Sequence, residues 1–140
     1  MKSSEDLASE LAEFPSLVDT LRRRAFQQPD KTAFIFLEDG ESIEKSISYS
    51  QLDRRARAIA KHLHSRSPQG ERAVLLYPAG IDFIAAFFGC LYAGIIAVPA
   101  YPPDPRRALR SLPRLLSIIL DCRARFVLTS SEISSMADNV

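Results

Sequence analysis

The sequence predicts an α/β fold, with a mixed or parallel sheet that carries helices on both faces and a β-hairpin near the start. Helical and strand patterns alternate along most of the chain, which is typical of layered α/β domains. The run 80–103 has no charge after Asp82 and is interrupted by glycine and proline, as expected for a buried helix, a tight turn and a buried strand. Asp39 and Gly40 stand between two β-forming runs and favour a hairpin turn.

Length and composition exclude several classes of protein. With 140 residues, of which 46% are hydrophobic and 25% charged, the chain can bury the core of one domain. Its net charge of +1 gives no basis for a nucleic-acid partner. The first residues are acidic and lack the apolar core of a signal peptide, which predicts a cytoplasmic protein. Prolines at the end of the uncharged stretch Phe83–Pro103 argue against a transmembrane helix.

The beginning of the chain is predicted to hold a tail, a helix and the hairpin. Residues 1–15 form an acidic tail or a short helix. Ser16 is placed to cap the helix that follows. The two strands of the hairpin are expected at Thr32–Glu38 and Ile43–Tyr49, where β-forming residues are dense or alternate with polar ones.

The rest of the chain is predicted to alternate between helices and strands. Ser50 is expected to cap a helix over 51–65, with Asp53 in the capping-box position. The later elements are a strand at Ala73–Tyr77, a helix at Ile81–Ala93, a strand at Ile95–Val98, a helix at about 105–122 interrupted or bent near Pro113, and a strand at Arg125–Thr129. The first strand, helix and strand of this series form a right-handed βαβ unit. The last strand requires a further neighbour.

Residues that bind metals or act as nucleophiles are few. His62 and His64 lie two positions apart on a helix, so they point in different directions and are expected to be surface histidines. Cys90 and Cys122 lie in apolar helical surroundings and are expected to be buried free thiols. The five glycines form no phosphate-binding motif. We therefore predict no catalytic, cofactor-binding or metal-binding residue in this chain.

Two segments allow a structural and a functional interpretation. The turn at 78–82 joins a strand to a helix, where an anion can bind, but Asp82 would compete with it and more simply caps the helix. Four aromatic residues at helical spacing are expected in the core, with a pocket wall as the alternative. They are Phe83, Phe87, Phe88 and Tyr92.

Four arginines form a basic stripe on the predicted helix at 105–122. They are Arg106, Arg107, Arg110 and Arg114. One interpretation is a solvated helix face. The other is a docking surface for an anionic partner, such as an acidic carrier protein or a phosphate group.

From Leu17 to Thr129 the chain resembles the N-terminal part of the acyl-adenylate-forming enzymes. The matching segments are 17–37, 48–63 and 71–103. Within that superfamily, FIFLEDGE, LLYPAGIDFIAAFFGCLYAG and VPAYPPDP are similar to the fatty acyl-AMP ligases. The resemblance implies that residues 16–140 form the N-terminal part of an AMP-binding domain, truncated before the ATP phosphate loop.

The resemblance also implies a reaction and its partners. Such enzymes use ATP and Mg²⁺ to convert a fatty acid to acyl-AMP, and pass the acyl group to an acyl carrier protein. This chain would supply scaffold, pack against the rest of its large domain and a C-terminal domain, and be inactive alone. The rigid loop Tyr101, Pro102 and Pro103, at the carboxyl end of a strand, is the candidate for the substrate pocket or its entry.

Two other functions stay open on sequence alone. The first is an acyl-CoA ligase or a peptide-synthetase adenylation domain, which shares the same superfamily pattern. The second is a stand-alone, non-catalytic module that binds a lipid or a carrier protein, for which the basic stripe and the apolar helix are the basis.

Overall fold

A computed structural model of the chain describes residues 16–66 and 68–131, together with residues 3, 5 and 9. Apart from these three positions, the tail predicted at 1–15 lies outside the described residues. The helices are α1 (Leu17–Gln27), α2 (Tyr49–His64), α3 (Ile81–Ala93) and α4 (Ala108–Cys122), and a short 3-10 helix (Pro105–Arg107) precedes α4. The strands are β1 (Thr32–Leu37), β2 (Glu44–Ser48), β3 (Arg72–Leu76), β4 (Ile96–Ala100) and β5 (Phe126–Thr129).

Strands β1 and β2 pair antiparallel and form the predicted hairpin. The Asp39 carboxylate organises its turn, since it accepts hydrogen bonds from the backbone N–H groups of Glu41, Ser42 and Ile43 and from the Ser42 hydroxyl. The Ser42 hydroxyl, followed by these N–H groups, lowers the pKa of Asp39 below its ordinary value. The Asp39-Gly40 signal therefore predicted the turn correctly, and the carboxylate supplies its hydrogen bonds.

Strands β3, β4 and β5 form a parallel sheet in the order β4-β3-β5. The central strand is buried, with Ala73, Val74 and Leu75 each 0% exposed, as predicted for a strand covered on both faces. The connection through α3 leads from β3 to β4. The connection through α4 leads in the opposite direction, from β4 past β3 to β5. Because such crossovers are right-handed, the two helices lie on opposite faces of the sheet. The predicted α/β class with a mixed pairing pattern is confirmed.

The core lies between β3, α3, α2 and the hairpin. One cluster of buried residues joins β3 to α3 and α2, and comprises Leu63, Ala73, Leu75, Ala86, Cys90, Ala93 and Ile95. A second joins α1, β2, α2 and α3 through Leu21, Ile47, Leu52 and Ala85. Phe83 and Phe87 pack against the first cluster, and Phe88 and Tyr92 against the second. The prediction that these four aromatics belong to the core is confirmed.

The start of α2 differs from the prediction. Ser48, not Ser50, is the N-cap, because Gln51 N–H donates to Ser48 Oγ (3.3 Å) and Ser48 N–H donates to Gln51 Oε1 (2.9 Å). Asp53 is not part of the capping box, since its carboxylate binds two side chains described below. Tyr49, predicted in the strand, is the first residue of the helix. The Gln51 side chain is long enough to reach back to the backbone nitrogen of Ser48, whereas the shorter Asp53 side chain reaches less readily to Ser50. This difference selects Ser48 as the cap.

Helix α4 and strand β4 also differ from the prediction, while the other strands differ by one or two residues at their ends. Helix α4 continues through Pro113 without the predicted interruption. Strand β4 begins at Ile96 and includes Pro99, which pairs in register with Leu75 of β3. Ser16 caps α1 as predicted, with Asp19 N–H donating to Ser16 Oγ at 3.1 Å.

Candidate functional site

An open groove of about 660 Å³ lies at the carboxyl end of β3. Its walls are the hairpin, the first turns of α2, the turn from β3 to α3, and the residues that follow β5. They contribute Phe36, Glu38, Lys45, Ser46, Ile47, Gln51, Arg54, Arg55, residues 78–82, Ser130 and Ser131. Open α/β sheets bind ligands at the carboxyl ends of their strands, so the groove has the position of a ligand site.

The turn from β3 to α3 depends on Gly80. Its φ of +154° is a conformation that L side chains rarely adopt, and a Cβ at this position would lie 3.8 Å from Phe36 Cε1. Helix α3 starts at Ile81 with no side-chain cap. The prediction that Asp82 caps this helix is therefore wrong. Asp82 instead pairs with Arg55 of α2, whose Nη2 lies 2.5 Å from its Oδ1.

Opposite charges alternate along the groove. Lys45 forms an ion pair with Glu38, and Arg55 forms one with Asp82, while Arg54 is exposed beside them. Because both pairs are partly exposed, each contributes at most about 1 kcal/mol to stability. Within the described residues, no group of three or more His, Cys, Asp or Glu side chains is placed to hold a metal ion. The groove thus combines charged and apolar side chains that can line a ligand site.

A hydrogen-bonded network fixes α3 against α2. Tyr92 O–H donates to Asp53 Oδ1 and Arg57 Nε donates to Asp53 Oδ2, each at 2.7 Å. Burial, followed by the hydrogen bond to Asp53, raises the pKa of Tyr92. The Asp53 side chain is only 13% exposed. The network therefore joins the last turn of α3 to the N-terminal half of α2. The sequence analysis missed it, although the spacing of Asp53 and Arg57 was a signal for an intrahelical ion pair.

The other predicted residues lie outside the groove. Tyr101 follows β4 and is 93% exposed, and Pro102 and Pro103 beside it are half-buried. The four arginines of the basic stripe are all exposed at the start of α4 and in the 3-10 helix before it. Both segments lie at the carboxyl edge of the sheet, because they follow the end of β4. Their predicted functional roles stay predictions.

The histidines and cysteines largely match expectation. His62 and His64 are exposed on α2, as predicted. Both cysteines are free. Cys90 is fully buried, and this burial raises the pKa of its thiol to about 11. Cys122 is only partly buried, so the prediction of a buried thiol holds for one of the two.

Comparison with known proteins assigns the fold to a family. The model of the AMP-binding enzymes matches residues 21–140. The chain belongs to the AMP-binding enzyme family. It is 51% identical over 117 residues to the medium-chain-fatty-acid–[acyl-carrier-protein] ligase JamA of Moorena producens, covering 84% of this chain and 20% of that protein. It is 37% identical over 121 residues to the long-chain-fatty-acid–AMP ligase FadD23 of Mycobacterium tuberculosis, with the same two coverages.

A solved structure supports the same family assignment. The fatty acyl-adenylate ligase of Legionella pneumophila, solved with acyl adenylate and pyrophosphate, superposes with a TM-score of 0.80 at 38% identity. The match covers 91% of this chain and 22% of that structure. The resemblance noted in the sequence is thus confirmed. The chain spans about a fifth of the length of these relatives. In its described part, no helix is both long and apolar enough to cross a bilayer.

Proposed function

We propose that this chain forms the N-terminal part of a ligase that activates a fatty acid with ATP and transfers the acyl group to an acyl carrier protein. The observation that carries the proposal is the 51% identity to a medium-chain-fatty-acid–[acyl-carrier-protein] ligase across 84% of the chain. The superposition on a ligase solved with acyl adenylate and pyrophosphate supports the same chemistry.

The reaction has two balanced steps. In the first, a carboxylate oxygen of the fatty acid attacks the α-phosphorus of ATP, an acyl–phosphate anhydride bond forms, and pyrophosphate leaves. In the second, the carrier thiol loses its proton, its sulfur attacks the acyl carbon, and AMP leaves. Bound Mg²⁺ would neutralise charge on the triphosphate in such a ligase. A carboxylate is a poor electrophile, and adenylation gives it a good leaving group.

Unpaired surfaces of the chain support its being part of a larger domain. One side of α4 exposes four leucines, Leu109 (92%), Leu112 (38%), Leu116 (57%) and Leu120 (75%). A contiguous exposed apolar surface of this kind marks a contact with another protein surface. Among the residues that the structure describes, strand β5 pairs only with β3, and its Val127 is 46% exposed. We propose that the rest of the large domain covers both surfaces, and that a stand-alone module is therefore disfavoured.

The role of this chain in that reaction is to support the site. The groove supplies a wall at the carboxyl edge of the sheet. The loop at Tyr101, Pro102 and Pro103 lies on the same edge, and we propose it as part of the substrate entry. Catalytic groups for both steps come from the remainder of the enzyme.

The acceptor assay tests this proposal. The full-length protein is incubated with ATP, Mg²⁺ and a fatty acid, and given either an acyl carrier protein or coenzyme A. We expect acyl-AMP by mass spectrometry, followed by acylation of the carrier protein in preference to coenzyme A. Efficient formation of acyl-coenzyme A would instead assign the protein to the acyl-CoA ligases.

A further inference from the structure

We propose that Arg106, Arg107, Arg110 and Arg114, here named the arginine cluster, form the docking surface for an acidic face of the acyl carrier protein. The inference rests on the proposed function, because it names the surface that receives the acceptor of that reaction. The partner is a protein and not a free anion.

The charges of the arginine cluster are uncompensated. All four side chains are exposed, and none forms an ion pair with any residue of the described ranges. The stretch 105–120 contains no Asp or Glu. Asp104 precedes the cluster, and its Oδ1 accepts the backbone N–H of Arg106 (2.9 Å). On α2, by contrast, Arg55 and Arg57 each pair with a carboxylate.

The start of α4 is also a locally unfavourable place for positive charge. The N-terminal end of a helix carries the positive end of its dipole, so acidic side chains stabilise it and basic ones oppose it. Helix α4 has no acidic residue in its first turn, and its N-cap, Arg107, makes no side-chain capping bond. Conflicts of this kind with local preference are expected at functional sites. A partner rich in carboxylates would relieve the repulsion.

The position of the cluster fits the second step of the reaction. Helix α4 begins where the chain returns from the carboxyl end of β4, which is the edge of the sheet that holds the groove. Arg114 is the seventh residue of α4, so at 1.5 Å per residue it lies about 9 Å from the start of the helix. A carrier protein bound there would stand beside the edge at which ligands bind in such sheets.

The neighbours of the cluster favour a protein over an isolated anion. Tyr101, in the connection that leads to the cluster, is 93% exposed, and Leu109, in the first turn of α4, is 92% exposed. Exposed Tyr and Arg are typical of protein interfaces. With 3.6 residues per turn, Arg110 and Arg114 point roughly 80–160° away from the exposed leucines of α4. Covering those leucines with the rest of the domain therefore leaves Arg110 and Arg114 accessible.

Charge reversal in the full-length protein tests the proposal. In the double variant Arg110→Glu and Arg114→Glu, we expect kcat/KM for the carrier protein to fall by about tenfold or more, because complementary charge steers association. Fatty-acid-dependent ATP–pyrophosphate exchange should be unchanged, and so should transfer to free phosphopantetheine. The matched control is Lys61→Glu with Arg66→Glu, two exposed basic residues at the end of α2, for which no change is expected.

Two results with the double variant would overturn docking at the arginine cluster. Equal loss of carrier transfer and of pyrophosphate exchange, or a lower Tm, would mean that the arginines contact the protein's own domains, and would overturn it. Unchanged kcat/KM for the carrier would do the same. Absence of exchange in the wild type would contradict the proposed function instead. The wild-type protein provides a second test of docking through charge. Raising the ionic strength should slow acyl transfer to the carrier protein but not to free phosphopantetheine. Equal slowing of both transfers would count against docking through charge.

Discussion

Helices α3 and α2 approach each other closely at Gly89. A Cβ added there would lie 2.5 Å from Ile59 Cγ2, 2.7 Å from Ile59 Cβ and 3.4 Å from the Ala56 carbonyl oxygen. Carbon atoms pack best at about 3.5–4.0 Å, so Gly89→Ala overlaps two atoms by about 1 Å. Rotation about χ1 of Ile59 moves Cγ2 but leaves Cβ in place. The two helices must therefore separate.

The expected cost follows from two opposing effects. Overpacking a core costs about 1–3 kcal/mol, and the upper part of that range applies because a backbone-anchored Cβ is involved. Ala gains about 1 kcal/mol over Gly in a helix interior. We expect Gly89→Ala to lower the free energy of unfolding by about 2 kcal/mol. Equilibrium urea unfolding, followed by circular dichroism, measures it.

A double-mutant cycle identifies the cause. In an Ile59→Ala background, the cost of Gly89→Ala should fall by about 1 kcal/mol or more, because the nearest overlapping atom is gone. Ala58→Gly, at an exposed position of α2, calibrates the helix-propensity contribution at about 1 kcal/mol. A Gly89→Ala protein as stable as the wild type would refute the close helix crossing.

Three other properties can be measured on the same protein. Ser48→Ala should lower the free energy of unfolding by about 1 kcal/mol, because the capping box is lost, and Ser50→Ala should lower it by clearly less. A larger loss for Ser50→Ala would mean that Ser50 is the N-cap, as the sequence suggested. Tyr92→Phe should lower the free energy of unfolding by about 1.5 kcal/mol, because its hydrogen bond to the Asp53 carboxylate is lost. Thermal unfolding measures this change, and an unchanged Tm would contradict the hydrogen bond between Tyr92 and Asp53. The Cys90 thiol has its pKa raised from 9.0 to about 11 in the folded state, so the neutral thiol is favoured by folding. That stability is fully present below pH 9 and is lost as pH rises towards 11, and Cys90→Ala should flatten this part of the pH profile.

The fold was predictable because local signals agreed with the tertiary structure. Asp39-Gly40 marked the hairpin, and the apolar run at 73–77 marked a strand buried on both faces. Helix starts were less predictable, because Ser48 and Ser50 are both good caps and only the reach of Gln51 separates them. The 3.6-residue period placed the aromatics of α3 in the core correctly, although it did not show that Tyr92 also donates a hydrogen bond.

The residues of the candidate site were harder to predict from the sequence than the fold. The groove combines the hairpin, α2, the turn at Gly80 and the end of β5, which are brought together by strand order and not by spacing along the chain. Asp82 looked like a helix cap because it stands in a first turn, yet Arg55, which is 27 residues away, competes for it. Long-range pairs of this kind leave no periodic signal, and the sequence therefore favoured the local partner.

Fatty-acid-dependent ATP–pyrophosphate exchange tests the central claim most directly. It should be measured with the full-length protein and, in parallel, with residues 1–140 expressed alone. We expect exchange from the first and none from the second, because the groups that bind the triphosphate are proposed to lie in the rest of the enzyme. Exchange by residues 1–140 alone, or none by the full-length protein with any fatty acid, would contradict the assignment of this chain as the N-terminal part of an acyl-adenylating ligase.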